Sequence, residues 1–201
     1  GECINELGGY FIINGKEKVI LSQEKRVNNI LYINKSSDDN ILLQCLLKSV
    51  STEGFQSSRT NVISILKTNI ATKMAKADYK NRIVVRILGI GVGDNADFKI
   101  PLFILFRALG IQTDKEILNM IVYDSDSKNL KSKLLDELYN TIKDSEPIYS
   151  QKSAFKFLAL QTKEKNNINV IDILNNNFLQ NFNDDNLAKS KFLAYCVRKL
   201  I

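Results

Sequence analysis

The chain has no histidine. That absence excludes every Ser–His or Cys–His nucleophilic centre. Its three cysteines, Cys3, Cys45 and Cys196, lie far apart and form no CxxC, so no zinc-site pattern is present and a reducing compartment fits best. Long apolar runs are lacking too. The longest, residues 100–105, is too short to span a bilayer and contains Pro101, so no membrane partner is expected. Glu2 and Glu6 stand where a secretory signal would be basic, so no leader is expected, and Gly1 in place of Met reads as a piece of a longer polypeptide. There is no GK[ST] pair. Gly89-Ile90-Gly91-Val92-Gly93 misses the spacing of a nucleotide loop and reads as a flexible strand end. Asp124-Ser125-Asp126 would need a third ligand to hold Mg²⁺ and reads as a surface loop. A free-standing enzyme is therefore a poor reading.

What is there begins with 201 residues, 44% of them hydrophobic, enough for one large domain or two small ones. The formal charge is +6, and its sharpest excess falls between Arg59 and Arg86. There Arg59, Lys67, Lys73, Lys76, Lys80, Arg82 and Arg86 face a single acid, Asp78. Such a cluster attracts phosphate backbone through counterion release, or simply makes a soluble face.

The organising stretch is residues 8–24. Residues 10–13 form a short aromatic and β-branched run, Asn14-Gly15 suits a two-residue type I′ turn, and Val19-Ile20-Leu21 is the expected return strand, with Lys16-Glu17-Lys18 in solvent beside the turn. Further strands are expected over 29–34, 41–50, 59–67 and 82–92, with breaks at residues 36–40 and 51–54, and a loop or short helix over 71–80. The pattern then turns helical. Pro101 opens a helix closed by Gly110, and Thr113-Asp114-Lys115-Glu116 reads as a capping box. Leu130, Leu134, Leu138 and Ile142 mark an amphipathic helix that stops before Pro147. Ser150 and Asn169 are expected caps of two more, and a last helix spans about 187–200 with Ala188, Phe192, Tyr195 and Cys196 on one side. A β-rich front and helical back make an α+β fold. Arg107, inside an apolar helix, is expected to pair with an acid and orient that helix.

GGYFIINGKEKVILSQE, residues 8–24, resembles a signature of the second-largest subunit of multisubunit DNA-directed RNA polymerases. Eukaryotic, archaeal and large-DNA-virus members carry it as GGYFIxNGxEKVxxxQE. The resemblance continues in order. Residues 100–111 are similar to that subunit's IPIxxxFRALGI, Asp114-Lys115-Glu116-Ile117 and Tyr123-Asp124 to its DxEI and YD, and residues 189–200 to its KAxFLGYMxxRLL. Two departures stand out: Lys25-Arg26 replaces a single Arg after QE, and residues 51–81 match poorly except near Arg59.

The resemblance implies that residues 1–27 end the protrusion domain and residues 28–201 form the lobe, beside the cleft that holds DNA. It implies part of a nucleotidyltransferase, with no catalytic residue and no cofactor in this piece, since the Mg²⁺ of the intact polymerase is held by aspartates of the largest subunit. The implied partners are DNA backbone, the largest subunit, small subunits and initiation factors, inside the cell, in the nucleus or a viral factory and virion. The Asn-rich composition favours a large DNA virus. Charge and resemblance together nominate Lys16, Lys18, Lys25, Arg26, Arg59, Lys67, Arg82 and Arg86 for nucleic acid, touching backbone without reading sequence. The competing reading is a docking platform for a small subunit or initiation factor, with no DNA contact.

Overall fold

In a computed structural model describing residues 3–52, 56–67, 81–91, 97–123 and 128–201, Asn14 and Gly15 take φ of 53° and 73°. These are the two left-handed residues that a type I′ turn requires. The turn joins β1 (Phe11–Ile13) to β2 (Lys16–Lys18). This corrects the expected return strand. With only two residues in the turn, Lys16 must sit opposite Ile13, so pairing uses the charged triplet and ends before Val19.

β3 (Leu31–Asn34), β4 (Ile41–Ser49), β5 (Arg59–Leu66), β6 (Arg82–Arg86) and β7 (Ile100–Pro101) form a second, antiparallel sheet. Its strands lie in sequence order, each paired with the next. Alternation along the strands sends Cys45 and Leu47, Ile63 and Ile65, and Ile83 and Val85 to one buried face. Beyond β6 the chain turns at Gly89, whose φ of 96° disfavours other residues. A Cβ there would also stand 3.2 Å from the Asn177 amide, which donates to the Leu88 carbonyl.

The helices are α1 (Leu102–Ala108), α2 (Asp114–Val122), α3 (Lys128–Lys143), α4 (Gln151–Ala159), α5 (Asn167–Asn176) and α6 (Asn186–Leu200). Every residue of α1 is buried, and all but Arg107 are apolar. Thr113 caps α2 by accepting from the Glu116 N–H, and Ser150 and Ser153 form a reciprocal box at the start of α4. Gly110 follows α1 with a φ of 108°. The cap of α5 is Asn166, not Asn169, which lies within the helix. A 3₁₀ turn (Gln180–Phe182) that the sequence did not signal leads into α6, capped by Asp185.

α6 buries Leu193, Ala194, Cys196, Val197 and Leu200, while Tyr195, expected on one side with Cys196, is half exposed. Cys45 and Cys196 meet beneath it as free, buried thiols. Their hydrogen bond, aided by burial, pushes the Cys196 thiol far above the ordinary range. The Cys196 thiol is therefore not poised for thiolate chemistry. The α+β expectation holds: a β-rich front and a helical back. The expectations for residues 53–54, 71–80, 92–93 and 124–126 lie outside the described residues.

Candidate nucleic-acid interface

The β1–β2 register pairs Phe11 with Lys18, Ile12 with Glu17 and Ile13 with Lys16. Directly opposed residues share a face of a hairpin, and successive residues alternate. Lys16 and Lys18 therefore stand on one face with Phe11 and Ile13, and Glu17 turns to the other with Ile12. All six are exposed. Lys25 is exposed as well, and the exposed Arg26 guanidinium lies 5.6 Å from the Tyr32 ring centroid. Tyr32 is itself fixed by its hydroxyl, which donates to the Val27 carbonyl at 3.2 Å. Arg26 is thereby held against β3 with its cation in solvent.

The remaining nominated residues are not gathered with these. Lys67 is exposed just beyond β5. Arg59 starts β5 opposite Ser49, on the same side as Asn61 and Ile63, and is half-buried. Arg86 lies across from Val62 and so projects from the opposite side of the sheet. It pairs with Asp97 at 2.8 Å, an exposed contact worth about 0–1 kcal/mol. Arg82 is a correction. It is 1% exposed, and its Nη1 donates to Asp144 Oδ1 at 3.0 Å. A guanidinium enclosed in the core cannot reach a phosphate, so Arg82 leaves the nucleic-acid set.

Arg107 takes the structural role expected of it. Buried in α1, it donates to Asp114, to the Ile148 carbonyl and to Ser145 Oγ at 3.3 Å. Its guanidinium also lies 5.2 Å from the Tyr149 ring centroid.

Lys189 escaped the sequence reading because nothing local marks a lysine for burial. It is fully buried, and its ammonium donates to the Leu174 carbonyl in the last turn of α5 at 2.8 Å. Burial pulls its pKa from 10.5 down to about 8, against the opposing charges of Asp184 and Asp185. The folded form thus gives up this proton before the unfolded chain does. The charge costs stability below about pH 8, and that cost is relieved as pH rises towards 10.5. The expected gain of wild type over Lys189→Met is up to about 1.4 kcal/mol per pH unit in that window. Paired urea titrations across it would read the gain, and a pH-independent difference would contradict it.

Among the described residues no three His, Cys, Asp or Glu side chains gather as metal ligands would. No helix among them is long and apolar enough to cross a membrane.

Residues 26–201 match the family described as RNA polymerase Rpb2, domain 2. Over its full length the chain is 26% identical to the DNA-directed RNA polymerase II subunit RPB2 of Encephalitozoon cuniculi and 30% identical to that of Meyerozyma guilliermondii. It is 28% identical, again over its full length, to the DNA-directed RNA polymerase II subunit 2 of Arabidopsis thaliana. It spans only 16–17% of the length of these relatives. They come from cellular organisms and lend no support to the viral lineage suggested by composition.

Proposed function

This chain belongs to the RNA polymerase Rpb2 domain 2 family, and on that premise we propose that it serves a DNA-directed RNA polymerase as a non-catalytic wall of the DNA cleft. Residues 1–27 are the end of the protrusion and residues 28–201 the lobe, a division supported by the start of the family match at residue 26. The whole enzyme joins ribonucleotides on a DNA template in the nucleus, with Mg²⁺ held outside this stretch. The largest subunit and small subunits are its partners.

One observation carries the DNA contact. The hairpin sets Lys16 and Lys18 side by side on one exposed face and turns its only acid, Glu17, away. Two cations about 7 Å apart on a strand can meet successive phosphates without reading bases. Arg26, Lys25, Lys67 and Arg59 extend the cationic surface; Arg86, already paired with Asp97, adds least.

In the assembled polymerase, replacing Lys16, Lys18 and Arg26 together with alanine should weaken DNA binding uniformly across sequences. The slope of log K against log salt should flatten by up to about 2.7 if each residue meets one phosphate. Binding with unchanged strength and slope would remove the hairpin from the DNA path.

A further inference from the structure

A cleft of about 390 Å³ opens between α2 and α6, lined by Met120, Tyr123, Lys191, Tyr195 and Arg198. Lys191, Tyr195 and Arg198 recur at helical spacing and form one stripe on the outward side of α6. Tyr123 ends α2 and is 70% exposed, while Tyr195 is 49% exposed. The Arg198 guanidinium donates to the Tyr123 carbonyl and so ties the two walls together. Phe192 backs Tyr195 at 6.1 Å between ring centroids, and the Lys199 ammonium lies 5.7 Å from the Tyr195 ring.

The result is an apolar floor with cations at its rim, and no carboxylate is among its described lining residues. Ion pairs among the described residues join Arg82 to Asp144, Arg86 to Asp97 and Arg107 to Asp114. Lys191 and Arg198 take part in none of them. Asp136 and Glu137 line an adjoining hollow that shares Arg198, on the side of α3.

We propose that this cleft holds an acidic peptide segment of a partner protein, anchored by one aromatic or leucine side chain between Tyr123 and Tyr195. The partner's carboxylates rest on Lys191 and Arg198. Charge complementarity selects an acidic partner, and the thioether and rings of the floor select an apolar anchor. A peptide fits better than a nucleic-acid strand, which needs a track of cations along its backbone and ring faces free for successive bases. Here the cations flank one hollow and form no such track. The cleft is independent of the hairpin and of the DNA contact proposed there.

The test uses the assembled polymerase and a fluorescent synthetic peptide of Asp and Glu residues around a single Phe. Anisotropy should show saturable binding that weakens with salt. Lys191→Glu and Tyr195→Ala should each lower affinity about tenfold, and Tyr195→Phe should restore it, because the ring and not the hydroxyl makes the contact. Lys191 is exposed, so its replacement leaves the core intact. A peptide with Lys in place of its acids should not bind. The proposal is overturned if wild type does not bind, if Lys191→Glu and Tyr195→Ala bind normally, or if a single-stranded oligonucleotide occupies the cleft with the same sensitivity to these variants. The DNA salt slope of Lys191→Glu should equal that of wild type, which separates failure here from failure of the hairpin reading.

Discussion

Replacing Asp144 with alanine should destabilise the fold by about 3–5 kcal/mol, among the largest effects of any single charge removal in this chain. Asp144 directly follows α3, which packs against β6, and its side chain and that of Arg82 are essentially sealed from solvent. The variant would leave the Arg82 guanidinium in the core without the Asp144 carboxylate. Removing Arg82 instead has a different pH profile. Burial already raises the Asp144 pKa above 3.8, opposed by the charge and hydrogen bond of Arg82. Its Oδ2 has no hydrogen-bond partner among the described residues, which explains why burial dominates. Without Arg82 the carboxyl rises further. The cost of Arg82→Ala is then greatest at neutral pH, where a lone carboxylate must stay buried, and eases as acid protonates it in the folded state. The paired replacement Arg82→Met with Asp144→Leu removes both charges at similar volume and should recover most of the loss. Urea midpoints at constant slope would measure the cycle. Additive losses in the double variant would show that the two side chains do not act as a pair.

Arg107→Ala should cost a similar amount, about 3–5 kcal/mol, for another reason. Its single guanidinium joins three parts of the helical half. It sits in α1, holds Asp114 in the first turn of α2, and satisfies the chain between α3 and α4 at Ser145 and Ile148. Alanine would orphan the buried Ile148 carbonyl and open a void beside Tyr149. Lysine keeps the charge but has no planar fork to serve these directions together, so Arg107→Lys should recover less than half of the loss. Asp114→Ala should be much milder, about 1 kcal/mol, since that carboxylate is partly exposed. Equal losses for the Arg107 and Asp114 alanine variants would reduce the network to a single ion pair.

These two arginines show what the sequence can and cannot disclose. Arg107 stood in an apolar helix, and its need for a partner followed from that setting. Arg82 stood among basic residues and looked like one more surface cation. Its fate is decided by Asp144, 62 positions later, which no local pattern reveals. The same divide runs through the backbone. The Asn14-Gly15 turn and the Thr113 and Ser150 caps are local chemistry, and all were legible. The β2 boundary was missed because the apolar Val19-Ile20-Leu21 outweighed a register already implied by the two-residue turn. Asn166 was missed as a cap because several asparagines compete nearby. The 3₁₀ turn follows Leu179 at a φ of 49°, a conformation leucine seldom adopts and tertiary packing imposes. The hairpin lysines were legible as candidates, whereas the α2–α6 cleft needed walls brought together from residues 75 positions apart.

The strand order β3-β4-β5-β6-β7 means that each strand after β3, as it leaves the ribosome, finds its neighbour already made. The sheet can therefore assemble in the order of synthesis, without waiting for a distant segment. Its cover obeys the opposite schedule. Cys45 and Leu47 on β4 gain part of their shelter from α6, the last of the six described helices. Until about residue 200 has emerged, that apolar face stays open, and a nascent chain halted before Asn186 would present it to chaperones.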